Sequence, residues 1–181
     1  MDRSCVRELH YITDIANVGS ILDRGILSHR LARRRVNAHV TIASAKVQKI
    51  RAVVRIPFQL LESHQGDLTV LAVRPNVLDL DGVIIADRNA ASIIARFDSV
   101  AEGIERLEEA AVFAKWWNDS IDAKQQRMAE VLVPDRVSPE LLLHAYVSDR
   151  AAAHRLRDLL GERRFAIRVN PSLFFADRSH Q

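Results

Sequence analysis

The sequence predicts a mixed α+β domain, and three observations carry that prediction. Short β-branched runs such as Leu68-Thr69-Val70-Leu71-Ala72-Val73 read as strands, with period-two or fully buried patterning. Between them lie segments whose apolar residues recur at three- and four-residue spacing, as on one face of a helix. No internal repeat, low-complexity tract or linker divides the 181 residues, a length that suits one domain over 1–181 better than two. Strands and helices do not alternate regularly, so the arrangement expected is short antiparallel strands in a split central sheet with flanking helices.

In chain order, Leu9-His10-Tyr11-Ile12-Thr13 is a strand, and Asp14 is placed to cap the helix after it. Ile15, Val18, Ile21 and Leu22 mark that helix over residues 14–24, with Gly25 at its C-cap. Ile26-Leu27-Ser28 resumes an extended chain. Residues 47–54 are ambiguous, although 43–51 holds helix formers and Val47, Ile50 and Val54 recur at helical spacing. Leu68–Val73 is a strand that Pro75-Asn76 ends. Val83-Ile84-Ile85-Ala86 reads as a buried strand, Asp87-Arg88-Asn89 as a turn, and residues 90–97 as helical. Residues 99–117 are helical in part. A strand begins at Ala129-Glu130-Val131-Leu132-Val133 and Pro134 ends it. Residues 139–143 form a short helix, Ala145-Tyr146-Val147 a strand, and residues 149–160 an amphipathic helix closed by Gly161. Phe165-Ala166-Ile167-Arg168-Val169 alternates as a last strand, and Phe174-Phe175 anchors the tail.

Composition narrows the function. Hydrophobic residues make up 48% and charged residues 27%, the balance of a soluble globular protein. Cys5 is alone, which excludes an internal disulfide and fits a reducing cytoplasm. The mixed-charge start has no apolar core of a signal peptide, and no run approaches the ~20 apolar residues of a membrane span. The net charge is +3 and the sequence pI about 9.4. The positive charge is concentrated: from Arg24 to Arg55 no acid occurs, and Arg30, Arg33, Arg34, Arg35, Lys46, Lys49 and Arg51 fall within that stretch. Such a segment is either a solvated basic loop or a surface for phosphates. The six glycines form neither a dinucleotide fingerprint nor a Walker loop. Seven scattered histidines and one cysteine give no zinc-ligand spacing, and no metal is expected.

Three stretches in order resemble the DarT family of DNA ADP-ribosyltransferases, the toxin half of a toxin–antitoxin pair. Residues 11–27, opening Tyr11-Ile12-Thr13-Asp14 and closing Gly25-Ile26-Leu27, are similar to the family's first strand and helix. Residues 42–52, with Arg51, resemble its catalytic-arginine segment. Met128-Ala129-Glu130-Val131-Leu132-Val133 resembles the strand that carries its catalytic glutamate. Ala86-Asp87-Arg88-Asn89-Ala90-Ala91 and residues 169–175 resemble a family turn and its closing strand. There are two departures. The family histidine six residues before the asparagine is Tyr11 here, with His10 next door; neighbours on a strand point to opposite faces. The aromatic hairpin after the arginine segment is shortened, since Pro57-Phe58-Gln59-Leu60-Leu61 leads almost directly to Leu68.

The resemblance implies an ADP-ribosyltransferase fold that takes NAD as co-substrate and modifies a base, thymidine, in single-stranded DNA. It implies Glu130 and Arg51 as catalytic residues, and NAD contacts from His10 or Tyr11, Thr13, Asn17, Gly25, Leu27 and Arg51. Arg33, Arg34, Arg35, Lys46 and Lys49 would meet phosphates, and Trp116 and Trp117 would stack on bases. A cognate macrodomain-type antitoxin is expected, and no membrane partner. The chemistry suits these residue types. Nicotinamide leaves NAD without needing an acid, and the transition state resembles an oxocarbenium ion, as in glycoside hydrolysis. A carboxylate stabilises that charge and can take the proton an acceptor base must lose. An arginine fork suits the phosphates. Without the resemblance, Glu130 is a surface glutamate, Arg51 a solvated arginine and the two tryptophans packing residues. An ADP-ribosyltransferase acting on RNA or protein, and a non-catalytic nucleic-acid-binding domain of the same fold, remain the alternatives.

Overall fold

A computed structural model describes residues 1–28, 31, 65–113 and 125–174. In chain order its strands are β1 (Leu9–Asp14), β2 (Ile26–Leu27), β3 (Leu68–Val73), β4 (Ile84–Ala86), β5 (Phe97–Ser99), β6 (Glu130–Leu132), β7 (Arg136–Val137), β8 (Leu142–Val147) and β9 (Ile167–Val169). Its α-helices are α1 (Val18–Arg24), α2 (Val100–Arg106), α3 (Glu109–Val112) and α4 (Arg150–Leu160). The chain divides into a larger unit, Glu8–Arg74 with Asp135–Gln181, and a smaller one, Met1–Arg7 with Pro75–Pro134. The α+β class read from the sequence is the one observed.

The larger unit is built on a four-stranded sheet in the order β1-β3-β8-β9. β1 pairs antiparallel with β3 over six residues, from Leu9 opposite Val73 to Asp14 opposite Leu68. β3 pairs antiparallel with β8, with a register shift at Ala72 and Val73. β8 and β9 are parallel, because α4 carries the chain back between them. α4 starts where Asp149 accepts the Ala152 N–H at 2.8 Å, and buries Ala152, Leu156 and Leu160 at four-residue spacing. Leu71, Ala145 and Val147 have no exposed surface, and neither does Val18 of α1. Burying side chains of this kind stabilises by roughly 1.5–3 kcal/mol each. Phe174 closes a second cluster on Leu68 and Val70, flanked by Tyr146 and Leu173.

The turn from β1 into α1 is set by its own side chains. The Asp14 carboxylate accepts the Ala16 N–H at 2.8 Å and starts a 3-10 turn, Ile15–Asn17, that runs into α1. Gly25 ends α1 with φ 83° and ψ 176°, a region open essentially to glycine alone. A Cβ there would lie 2.1 Å from the Val137 carbonyl oxygen. That close approach lets Ile26 pair with Val137.

The smaller unit holds the antiparallel sheet β5-β4-β6. α2 lies against β4 so closely that a Cβ on Gly103 would fall 2.4 Å from the Ile85 Cβ. Ser99 caps α2 by accepting the Glu102 N–H at 3.3 Å. Val77, Leu78, Val83, Ile85, Ile104, Leu107 and Ala111 are buried in this unit.

Two local expectations change. Residues 90–97 are not helical. Asn89 Oδ1 takes the Ala91 N–H at 2.9 Å, as a helix cap would, but Arg96 bonds across the loop: its N–H donates to Asp87 Oδ1 at 3.0 Å and its carbonyl accepts the Asp87 N–H at 3.1 Å, a pairing that a helix over these residues excludes. Phe97 is drawn instead into β5, opposite Ala86. The helix expected over 139–143 is a single 3-10 turn, Pro139–Leu141, because Leu142 pairs with Val73 as the first residue of β8. The ambiguous stretch 47–54 lies outside the described residues.

Replacement of Gly25 by alanine combines backbone strain with a clash against the β7 backbone. It is expected to lower stability by about 1–3 kcal/mol, read as a fall in the urea midpoint at unchanged slope. A wild-type midpoint would refute the role given to this glycine.

Candidate active site

The turn from β1 into α1 brings two of the candidate residues, Thr13 and Asn17, into contact. Thr13 is buried near the end of β1, and the Asn17 side-chain amide donates to its hydroxyl at 3.1 Å. The pairing of β1 with β3 runs through these residues without a shift, so alternation is strict and Tyr11 shares the face of Thr13. Tyr11 is more than one-third exposed, so its ring is accessible. Gly25 and Leu27 come next, at the end of α1 and in β2. No bulge carries His10 to this face.

His10 belongs to a different group. Its Nε2 lies 3.0 Å from Glu8 Oε1, which also accepts the Tyr146 hydroxyl at 2.9 Å. The His144 ring meets Tyr146 edge-on, with centroids 4.6 Å apart, and its Nε2 is 3.6 Å from the other Glu8 oxygen. Burial works to raise the Glu8 carboxyl, but the hydrogen bonds from His10 and Tyr146 outweigh it and hold it below its ordinary range. Burial, helped by the Arg168 guanidinium, pushes the His144 imidazole below its ordinary range. Burial, then the bond to Glu8, pushes Tyr146 up. The group is a satisfied polar cluster on the face opposite Thr13.

Glu130 is the first residue of β6, and its backbone is set by pairing with Ala86 of β4. The approach to it is braced. The Arg88 guanidinium donates to the Gln125 side chain, and the Glu108 N–H donates to the Gln126 side chain at 2.8 Å. The Met128 and Ala129 N–H groups then close turns on the Gln125 and Gln126 carbonyls at 3.0 and 2.9 Å. Arg88 is itself fixed by two bonds to Asp87, at 3.0 and 2.8 Å. That Arg88 partnership holds the Asp87 carboxyl below its ordinary range. Glu130 is half-buried, and burial pushes its carboxyl above the usual range, with the Ala90 N–H pulling weakly the other way. A raised carboxyl at a rigid position is what a general base needs.

The larger unit also has a pocket of about 320 Å³ lined by Asp23, Arg24, Leu27 and Arg136. Leu27 was expected from the sequence; Arg136 was not. It reaches the pocket because β7 pairs with β2 and sets Arg136 opposite Leu27, more than a hundred residues away in the chain. Only that pairing reveals it. Arg51, Arg33, Arg34, Arg35, Lys46, Lys49, Trp116 and Trp117 lie outside the described residues. Among the described residues no group of His, Cys, Asp and Glu is set to hold a metal, and no helix is long and apolar enough to cross a membrane.

Known proteins resemble this chain in sequence and in fold. A family model described as "ssDNA thymidine ADP-ribosyltransferase, DarT" matches residues 58–175. A DNA ADP-ribosyl transferase–DNA ADP-ribosyl glycohydrolase fusion protein of Thermosipho africanus (strain H17ap60334) is 30% identical over 193 residues, covering 93% of this chain and 50% of the relative. The structure of Thermosipho africanus DarTG in complex with ADP-ribose superimposes with a TM-score of 0.77 at 26% identity, over 93% of this chain and 51% of that one. The chain thus spans about half the length of these Thermosipho relatives. Thermus sp. 2.9 DarT in complex with ADP-ribosylated ssDNA shares the fold, with a TM-score of 0.74 at 18% identity, over 93% of this chain and 96% of that one.

The direction of the Glu130 shift gives a stability signature. A carboxyl whose folded-state pKa is raised contributes stability that is full below its unfolded pKa and lost as pH rises through the folded one. Glu130→Gln is therefore expected to gain stability relative to wild type as pH rises from about 4 toward neutrality. A carbon-13 titration of the Glu130 carboxyl should show a midpoint above that of an ordinary glutamate, and an ordinary midpoint would refute the burial argument.

Proposed function

The chain belongs to the DarT family of ssDNA thymidine ADP-ribosyltransferases, and from that premise we propose that it transfers ADP-ribose from NAD to thymidine in single-stranded DNA. The observation that carries the reading is Glu130: a half-buried carboxyl that burial pushes above its ordinary range, at the start of a braced strand whose sequence resembles the family's catalytic-glutamate strand. We read residues 1–181 as one ADP-ribosyltransferase domain, supported by a family match at 58–175 that takes in parts of both compact units.

In the proposed reaction the bond from ribose to nicotinamide breaks, and nicotinamide departs neutral with the bonding pair. The protonated ring nitrogen of thymine forms the new bond to that ribose carbon and yields its proton to Glu130. The carboxylate first balances the positive charge that develops on the sugar. Its raised pKa makes it the stronger base for the second task. Thr13 and Asn17, already hydrogen-bonded to each other, present a fixed polar pair for the ribose or amide of NAD. Tyr11, on the same face, takes the place of the family histidine. Arg24 and Arg136 beside Leu27 supply positive charge suited to an anionic ligand such as a dinucleotide. Arg51 remains the proposed catalytic arginine, and the basic residues Arg33, Arg34, Arg35, Lys46 and Lys49 the proposed DNA contacts. The relative that joins transferase and glycohydrolase in one name supports a cognate macrodomain antitoxin that removes the mark. A cytoplasmic location suits these substrates.

Incubation with labelled NAD and separate pools of single-stranded DNA, RNA and protein tests the reading. Label is expected on DNA, and Glu130→Ala should reduce it by about 10²–10⁴-fold. Label on RNA or protein alone would move the acceptor to another class, and no label with any pool would leave a non-catalytic domain. The acid limb of the kcat/KM profile should lie above the ordinary glutamate range.

Strand parity gives a second test. Tyr11→Ala should raise KM for NAD about tenfold, whereas His10→Ala, which alters the opposite face, should leave it within about twofold. The reverse pattern would return the nicotinamide-side role to His10.

A further inference from the structure

The loop between β4 and β5 ends in an exposed apolar surface that the reaction as described does not use. Ile93 is fully exposed, and Ile94 and Phe97 are at least half exposed. Leaving three large apolar side chains in water within five residues forgoes burial that a core position would give. The loop is not loose. Ser92 and Ala95 N–H groups close successive turns on the Asn89 and Ser92 carbonyls at 2.9 and 3.0 Å. Asp87 and Arg96 bond across its base, N–H to carbonyl at 3.1 Å and N–H to carboxylate at 3.0 Å. The backbone that carries these three side chains is therefore tied by its own hydrogen bonds.

Its position is what gives it meaning. Ala86 pairs with Phe97 on one side and with Glu130 on the other, so Phe97, Ala86 and Glu130 form one row on one face of the sheet. Two strand spacings separate Phe97 from Glu130, about 10 Å. The same loop supplies the Ala90 N–H beside the Glu130 carboxylate. A base that gives its proton to Glu130 has to come within about 2.6–3.2 Å of the carboxylate. A base on Phe97 is thus not the one that reacts.

We propose that Phe97, Ile93 and Ile94 form a shelf for a nucleobase of the acceptor strand next to the thymidine that reacts. This rests on the DNA-modifying reading above and specifies how that substrate is held. The ring of Phe97 takes the face of the base, and the two isoleucines wedge beside it. Aromatic stacking tolerates any base, and aliphatic wedges between bases are a known means of separating neighbours. Prising the neighbour away frees the acceptor thymine to face Glu130. Phe97, Ile93 and Ile94 are positioning residues: they act on the strand, not on the reacting atoms.

The test is steady-state transfer to a short single-stranded oligonucleotide with one thymidine. Phe97→Ser and the Ile93→Ser/Ile94→Ser pair should each raise KM for the oligonucleotide about tenfold, with KM for NAD unchanged, and Phe97→Trp should restore it. The isoleucine pair is exposed enough to leave the fold intact, and an unchanged thermal midpoint checks this. An abasic site beside the thymidine should raise the wild-type KM by a similar factor and add nothing in the Phe97→Ser variant. Transfer with an unchanged oligonucleotide KM in both variants, or a wild type indifferent to abasic neighbours on both sides, overturns the shelf alone. No transfer to any DNA by the unaltered chain overturns both the shelf and the reading beneath it.

Discussion

The unbroken ladder between β1 and β3 is the constraint on which the larger unit depends. Six consecutive pairs hold β1 at the edge of its sheet, and a ladder without a bulge gives each side chain one face and no choice. One face carries Tyr11 and Thr13, with Asn17 brought back to Thr13 by the turn that Asp14 starts. The other carries His10 into the cluster of Glu8, His144, Tyr146 and Arg168. A slip of one residue would exchange the two sets. Glu8 would lose the Tyr146 bond that offsets its burial.

In that second cluster a buried histidine is pulled two ways. His144 has a carboxylate at 3.6 Å, which favours its protonated form, and an arginine at 3.4 Å, which opposes it. Burial tips the balance and holds the imidazole below its ordinary range. The carboxylate is satisfied by His10 and Tyr146 instead. Polar groups of this kind stabilise only when their partners are complete, and here each finds one. The cluster braces β1 against β8, and so supports the face that Tyr11 and Thr13 occupy.

The smaller unit solves a different problem, which is to hold a carboxyl half out of water and still rigid. β6 has three residues, too few to fix Glu130 by its ladder alone. The chain before it is tied at Gln125 by Arg88 and at Gln126 by the Glu108 N–H. On the other side of β4, the close fit of Gly103 on Ile85 seats α2. The β4–β5 loop, tied by Asp87 and Asn89, then reaches Glu130 through Ala90. Burial raises the carboxyl, and these ties keep it in place.

Short-range patterns in the sequence were enough to name most of the elements. Leu68–Val73 is legible as a strand because its run is aliphatic and β-branched and Pro75-Asn76 ends it; the structure buries all six residues. α4 is legible because Asp149, the four-residue apolar spacing and Gly161 each act over a few residues. Glu130 was legible through its family-like surroundings, and Tyr11 and His10 were legible as rivals. Which face each occupies is tertiary: only pairing with β3 shows that β1 has no bulge. Residues 90–97 have a helical composition yet form turns and the start of β5, because Asp87 meets Arg96 and Phe97 meets Ala86, contacts local pattern does not encode. The same holds for Arg136 at the pocket and Phe97 in the row of Glu130. Local rules fix what a segment can be, and pairing between distant segments fixes which side chains share a face.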